Sequence, residues 1–320
     1  MKTPRLFVGP MSREIVDIVI EYSKKKSPLG LIPSRRQIEH TGGYVNDWST
    51  SDFSQHVKEK NSNVCLERDH GGPGQGAVLD DGLDSLKNDI ESCFDILHID
   101  PWKTCNSVEE GTRKTEDLIF HCMDLDDNVL FEVGTEESIF PYTPRDLDFI
   151  MGSLEERMGN KFDRIKFGVI QSGVKISGTS NVGNFDPIRL EAMVAVTKKY
   201  GVLSKEHNGD YLTRDQIQKR ALLGLDSINI APEFGVTQTR LILESGVIFD
   251  DALRTCREIN KFSKWIPDEY KGSPPERLIV EVSGHYCFTK EPFRSALVDV
   301  KEKLSKHLFD RFDEICGAWE

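Results

Sequence analysis

Apolar runs of strand length alternate with amphipathic stretches of helix length from the N-terminus to about residue 248, and no other feature of the chain restricts its fold as strongly. "RLFVGP" is followed by "SREIVDIVIEYSKK", "LGLIPS" by "TSDFSQHVKEK", and "VCLERDHGG" by "DDGLDSLKNDIESCF". "ILHIDPW" precedes "SVEEGTRKTEDLIFHC", "NVLFEVGTEE" precedes "TPRDLDFIMGSLEERMG", and "IKFGVIQSG" precedes "DPIRLEAMVAVTKKYG". The stretch from Leu203 to Phe234, with "VTQTRLILESG" after it, completes eight strand-helix units. Thr143-Pro144 and Asp186-Pro187 pair a capping side chain with a first-turn proline, and Gly159 and Gly201 stand where two helices should end. Alternation of this kind requires parallel strands joined by crossover helices, and eight units within about 250 residues is the size of a closed barrel. An open doubly wound sheet is the other topology, but no Gly-x-Gly-x-x-Gly follows the first strand. The expectation is an α/β protein: a (β/α)8 TIM barrel over residues 1–248 and a helical C-terminal extension over 249–320. The extension should end in a helix from about Glu291 to Cys316 and pack on the barrel or on a neighbouring subunit.

Charge and composition narrow the function. With 53 acidic against 41 basic residues the formal net charge is -12, which repels a phosphate backbone, so nucleic acid is not an expected partner. No apolar run is long enough to cross a bilayer, and "MKTPRLFVGP" lacks the pattern of a signal peptide. The seven cysteines are scattered without metal-finger spacing, so a cytoplasmic location is expected.

In a (β/α)8 barrel the active site lies at the C-terminal ends of the strands, where the strand-to-helix loops open. Those ends are rich in ionisable and amide side chains here. They read Arg68-Asp69-His70, His98-Ile99-Asp100, Glu132 to Glu137, Gln171-Ser172, Lys205 to Asp210, and Asn229 to Glu233. A divalent ion such as Zn²⁺ takes imidazole nitrogen and carboxylate oxygen, and His70, Glu136 and His207 form such a ligand set. Asp69 neighbours His70 and would need a strand-end turn to share the mouth with it. Asp69 or Glu132 would move protons, and Asp100, Gln171, Lys205, Asn208, Gly209 and Asp210 are the expected substrate contacts.

Six blocks, "LIPSRRQIEHTGGYVNDWSTSDF", "LERDHGGPGQG", "LHIDPW", "VGTEE", "VIQSGVKISGTSNVGNFD" and "EHNGDYLT", resemble in order the D-tagatose-1,6-bisphosphate aldolase accessory subunits, also labelled tagatose-6-phosphate kinases. "DHGG" and the stretch after His207 are similar, more distantly, to the metal-dependent class II ketose-bisphosphate aldolases. The resemblance implies His70 and His207 as metal ligands, Asp69 as the proton-transfer carboxylate and Asn229 as a substrate contact. Two departures stand out. The aldolase pattern has a further metal-binding histidine after the sixth strand, where this chain has Gln171-Ser172; and its phosphate-binding Gly-Ser is here Gly209-Asp210, a carboxylate where a phosphate would sit. Asp210 is accordingly expected to accept hydrogen bonds from sugar hydroxyls, or else to cap the helix beginning near Thr213.

The expected function is a metal-dependent carbohydrate enzyme, an aldolase or epimerase. It would act on a ketose, sugar acid or sugar phosphate through an enediolate, with zinc as the expected ion. The rival from another class is a non-catalytic accessory subunit that stabilises an aldolase partner, and a homo-oligomer is equally compatible with the sequence. A sugar kinase is disfavoured because no Gly-x-x-x-x-Gly-Lys-Ser/Thr loop is present.

Overall fold

The computed structural model describes residues 3–61 and 63–320. Eight parallel strands close into a barrel: β1 (Leu6–Val8), β2 (Gly30–Leu31), β3 (Cys65–Gly71), β4 (Ile96–Ile99), β5 (Leu130–Val133), β6 (Ile165–Ile170), β9 (Leu203–Glu206) and β10 (Ser227–Ile230). The strands lie side by side in chain order, and β10 returns to β1 with Phe7 opposite Asn229. Crossover helices α1 (Arg13–Lys25), α2 (Thr50–Lys60), α3 (Leu83–Glu91), α4 (Val108–Leu125), α5 (Pro144–Met158), α6 (Pro187–Lys199), α7 (Arg214–Leu222) and α8 (Pro232–Glu244) follow the strands. The punctuation in the sequence has a direct structural meaning. Thr143 and Asp146 form a capping box at the start of α5, the Asp186 side chain accepts from the Ile188 and Arg189 amides, and Gly159 and Gly201 end their helices at φ +56° and +69°.

One excursion was not anticipated: residues 174–183 form an antiparallel hairpin, β7 (Val174–Ser177) and β8 (Ser180–Gly183), between β6 and α6. Gly178 turns it at φ +59°, and its amide donates to the Trp265 carbonyl at 2.7 Å. Asn181 at the far end of the turn donates through Nδ2 to the Asn208 and Asp210 carbonyls. The hairpin is thereby pinned over the loop that follows β9.

Beyond the barrel lie α9 (Phe249–Ile259), α10 (Glu276–Ser283) and α11 (Phe293–Cys316). α11 packs on this chain's own α1 and α8: Phe312 meets Tyr22 and Phe234 edge-on, Tyr22 donates to Asp313, and Arg311 grips Glu233 and the Leu212 carbonyl. One apolar core runs without a break from the barrel helices into Phe293, Leu304, Leu308 and Phe312. No described helix is long and apolar enough to cross a membrane.

The barrel interior is not uniformly apolar. Phe7, Ile32, Cys65, Ile96 and Phe167 fill one layer. Lys205 lies against the faces of Phe7 and Phe167, with its ammonium 2.5 Å from Glu67 and 2.6 Å from Glu132. All three charged side chains are shut off from solvent.

Candidate functional site

The period-two alternation of the strands sorts the charged residues. On β3, Glu67 and Asp69 face inward while Arg68 faces outward, where it forms a fully buried pair with Asp89 of α3. His70 should then point outward as well. It does not, because the pairing of β3 with β4 shifts register between Arg68 and Gly71 and His70 adopts φ +49°, a left-handed conformation that few non-glycine residues take. The irregularity brings two consecutive side chains, Asp69 and His70, into the barrel mouth.

There they meet His98 at the end of β4 and His207 just past β9. Ligand atoms of Asp69, His70, His98 and His207 all lie within 4.8 Å of one another. Oδ1 of Asp69 is 3.8 Å from His70 Nε2, 3.9 Å from His98 Nδ1 and 3.8 Å from His207 Nδ1. Tetrahedral ligands about 2.1 Å from zinc stand about 3.4 Å apart, so small movements would gather the three imidazoles around one ion with Asp69 beside it.

The far side of each imidazole decides which nitrogen carries a lone pair. His70 Nδ1 bonds to Asp100 at 2.5 Å, His207 Nε2 bonds to Glu132 at 2.6 Å, and His98 Nε2 bonds to the Gly134 carbonyl at 2.9 Å. A carbonyl can only accept, so His98 Nε2 holds the proton and Nδ1 is bare, which agrees with its receiving the His70 amide at 3.2 Å. A carboxylate or carbonyl behind each ring is the arrangement that orients metal-bound histidines. The donor set therefore fits a divalent metal ion.

Electrostatics points the same way. Burial pushes the Asp69 carboxyl up, but the neighbouring imidazoles, His70 first, outweigh it and hold Asp69 well below the usual carboxylate range. Burial pushes His70 down, yet Asp69 and the Asp100 bond raise it to about 10. The pocket thus attracts a positive charge, and an ion would compete with that proton. Beneath it, burial pushes Glu132 up but Lys205 and His207 outweigh it and hold Glu132 far below its normal value, while burial and then the Glu132 charge raise Glu67 well above its own.

The structure distributes the expected site residues over three levels. Asp69, His70, Glu136, His207, Asn208, Asp210 and Asn229 line a cavity of ≈ 490 Å³ above the cluster. Asn229 is suited to substrate contact, since its buried Oδ1 has no partner among the described residues. Glu136 stands outside the ligand group, accepting from Ser138. Glu132 and Asp100 lie behind His207 and His70 as orienting carboxylates, completely buried, and a proton carrier or substrate contact at either position would first have to break that bond. Lys205 is buried below the site between its two glutamates, out of reach of a substrate. Gln171 is fully engaged, donating to the Thr135 and Phe140 carbonyls and accepting from Tyr142 and Arg189. Gly209 packs so closely on Ile228 that a Cβ would stand 2.3 Å from it, which explains the glycine without a ligand. Of the cluster, the sequence reading gave Asp69 a proton-transfer role rather than a ligand's and gave His98 no role. Its signal was present, in a histidine at the end of the strand next to β3.

Asp210 has a structural assignment. Oδ1 accepts from the Ala231 and Glu233 amides at 3.0 and 2.8 Å, so the side chain caps the N-terminus of α8, whose own capping position is Ala231. The helix near Thr213 is served by Thr213 itself, in a capping box with Gln216. Burial, helped by the Glu233 charge, pushes Asp210 up to about 8 against those backbone bonds. Asp210→Ala is expected to lower stability by about 0.5–2 kcal/mol in urea denaturation, the cost of losing a helix cap. An unchanged unfolding midpoint would show that the cap contributes nothing.

The fold and the cluster define a (β/α)8 barrel with a histidine-carboxylate cluster at its mouth. A probable tagatose 6 phosphate kinase from Sinorhizobium meliloti 1021 superposes with a TM-score of 0.75 at 16% identity, over 94% of this chain and 87% of that one. The fructuronate-tagaturonate epimerase UxaE from Cohnella laeviribosi gives 0.63 at 10% identity over 99% and 81%. The fructose-bisphosphate aldolase from Campylobacter jejuni gives 0.58 at 17% over 98% and 90%. These likenesses establish the fold, and the first and third are of the kinds of protein that the sequence blocks resemble. No protein-family model matches the chain, and no curated protein matches it in sequence.

Proposed function

We propose that this protein is a divalent-metal enzyme of sugar metabolism that cleaves or epimerises a ketose or keto sugar acid. The observation that carries the reading is the set of three imidazoles, each tied at its far nitrogen to a carboxylate or carbonyl and each aiming its near nitrogen toward Asp69. His70, His98 and His207, with Asp69 beside them, would hold the ion, and zinc suits that donor set. When bound it would supply Lewis-acid polarisation of a substrate carbonyl.

The chain's own residues do the rest. Asp69 lines the cavity and takes the proton from the carbon or hydroxyl next to the carbonyl. Asn229 orients a hydroxyl through its free Oδ1. Glu132 and Asp100 hold their histidines in the required tautomer. Retro-aldol cleavage and epimerisation share the enediolate that such an arrangement favours. The solved epimerase and aldolase with this fold support both members of the pair.

The test is to incubate zinc-loaded and chelator-treated protein with ketoses, keto sugar acids and their phosphates, and to follow products by NMR. Conversion by the zinc form alone is expected. No conversion of any of them would sink the enzymatic reading, and stabilisation of a partner aldolase in its place would favour an accessory role.

A further inference from the structure

The cavity above the cluster is walled partly by the segment between α9 and α11, which contributes Lys264, Trp265, His285 and Tyr286. In a chain of net charge -12, this cavity collects the cations Arg36, Lys103, Lys175 and Lys264, none of which forms an ion pair among the described residues. Of the three carboxylates that share it, Asp69 faces the histidines, Asp210 caps α8, and Glu136 alone stands near the cations. Free lysines on an open surface are ordinarily just solvated. Two observations separate this wall from such a surface.

The first is that Lys103, though its stem is exposed, turns its ammonium inward to the buried Gln75. Burial and then the Arg36 charge hold it below the usual lysine value. The second is His285. Its ring is buried, with 2% of its surface exposed, yet neither nitrogen has a partner among the described residues, whereas buried polar groups are nearly always hydrogen-bonded. Burial, with the Lys264 charge next, pushes His285 down to about 3, so the ring is neutral and keeps one N–H to donate. The N-terminus of α8, a natural anion position after the last barrel strand, is already filled by Asp210.

We infer that this wall binds the anionic group, carboxylate or phosphate, of an acidic ketose whose carbonyl end lies at the histidine cluster. Arg36, Lys103 and Lys264 neutralise the charge, and the His285 N–H bonds an oxygen of the same substrate. The inference rests on the sugar-enzyme reading above and adds to it a substrate class and a location.

Calorimetric titration of the zinc-loaded protein with fructuronate, fructose 6-phosphate and fructose tests it. At least one acidic ketose is expected to bind tenfold or more tighter than fructose, about 1.4 kcal/mol, and the favoured one identifies the anion as carboxylate or phosphate. Arg36→Glu and Lys264→Glu are each expected to remove that preference, weakening the acidic ketose tenfold or more beyond any change in fructose affinity. Equal binding of all three sugars, binding of none, or an equal loss for all three in the variants would overturn the inference. The failures separate cleanly. A preference for acidic ketoses without turnover leaves this inference standing and removes the enzymatic reading, and turnover of neutral ketoses without preference does the reverse.

Discussion

Lys205→Met is expected to lower the free energy of unfolding by about 3–5 kcal/mol, the cost of removing one partner from a buried ion pair. The magnitude follows from what remains. Lys205 is the cation between Glu67 and Glu132 in a closed interior, and burial opposes its charge while both glutamates sustain it. Without it the ionised Glu132 keeps only His207, and two carboxyl groups face each other across the barrel axis. Urea denaturation measures the loss. The exposed pair Lys271–Asp268 is the control, since Lys271→Met should leave the unfolding midpoint nearly unchanged. A loss below about 1 kcal/mol at Lys205 would mean that water or rearrangement relieves the buried charge.

His98→Ala is expected to weaken zinc binding by more than about 100-fold, beyond the 10–100-fold that loss of an outer hydrogen-bond partner costs. Glu136→Ala should change it only slightly. The pair of variants decides between two ligand sets: the one expected from strand-end chemistry, with Glu136, and the one defined by distance, with His98. Competition titration with a chromophoric chelator reads both, and a larger loss in Glu136→Ala would restore the first set.

Why the two sets differ is instructive about what a sequence contains. Alternation of apolar runs carried the barrel, because eight βα units within about 250 residues have few other ways to bury parallel strands. The hairpin at 174–183 escaped because four-residue strands with mixed polarity read as loop. Within strands, parity tells which side chains face inward but not how deep they lie. Glu132, Lys205 and His207 all point into the barrel, yet only His207 reaches the cavity. Depth depends on the stagger between neighbouring strands, which is set by closure of the sheet. The same stagger carries His98 to Asp69 and leaves Glu136 to one side. Asp210 was legible as a charge out of place for a phosphate site, but its service to α8 depends on a contact across 23 residues of chain, from the β9 loop to the Glu233 amide.

The central claim is that Asp69 and the three histidines form a centre for proton transfer next to a carbonyl. The most direct measurement is solvent deuterium uptake by an acidic ketose in the presence of zinc-loaded protein, followed by proton NMR for the wild type and for Asp69→Asn. The account predicts exchange at the carbon adjacent to the carbonyl in the wild type, slowed by about 10²–10⁴-fold in the variant, the range for removing a general acid-base group. Equal exchange by both proteins, or none by either with zinc bound, would contradict it.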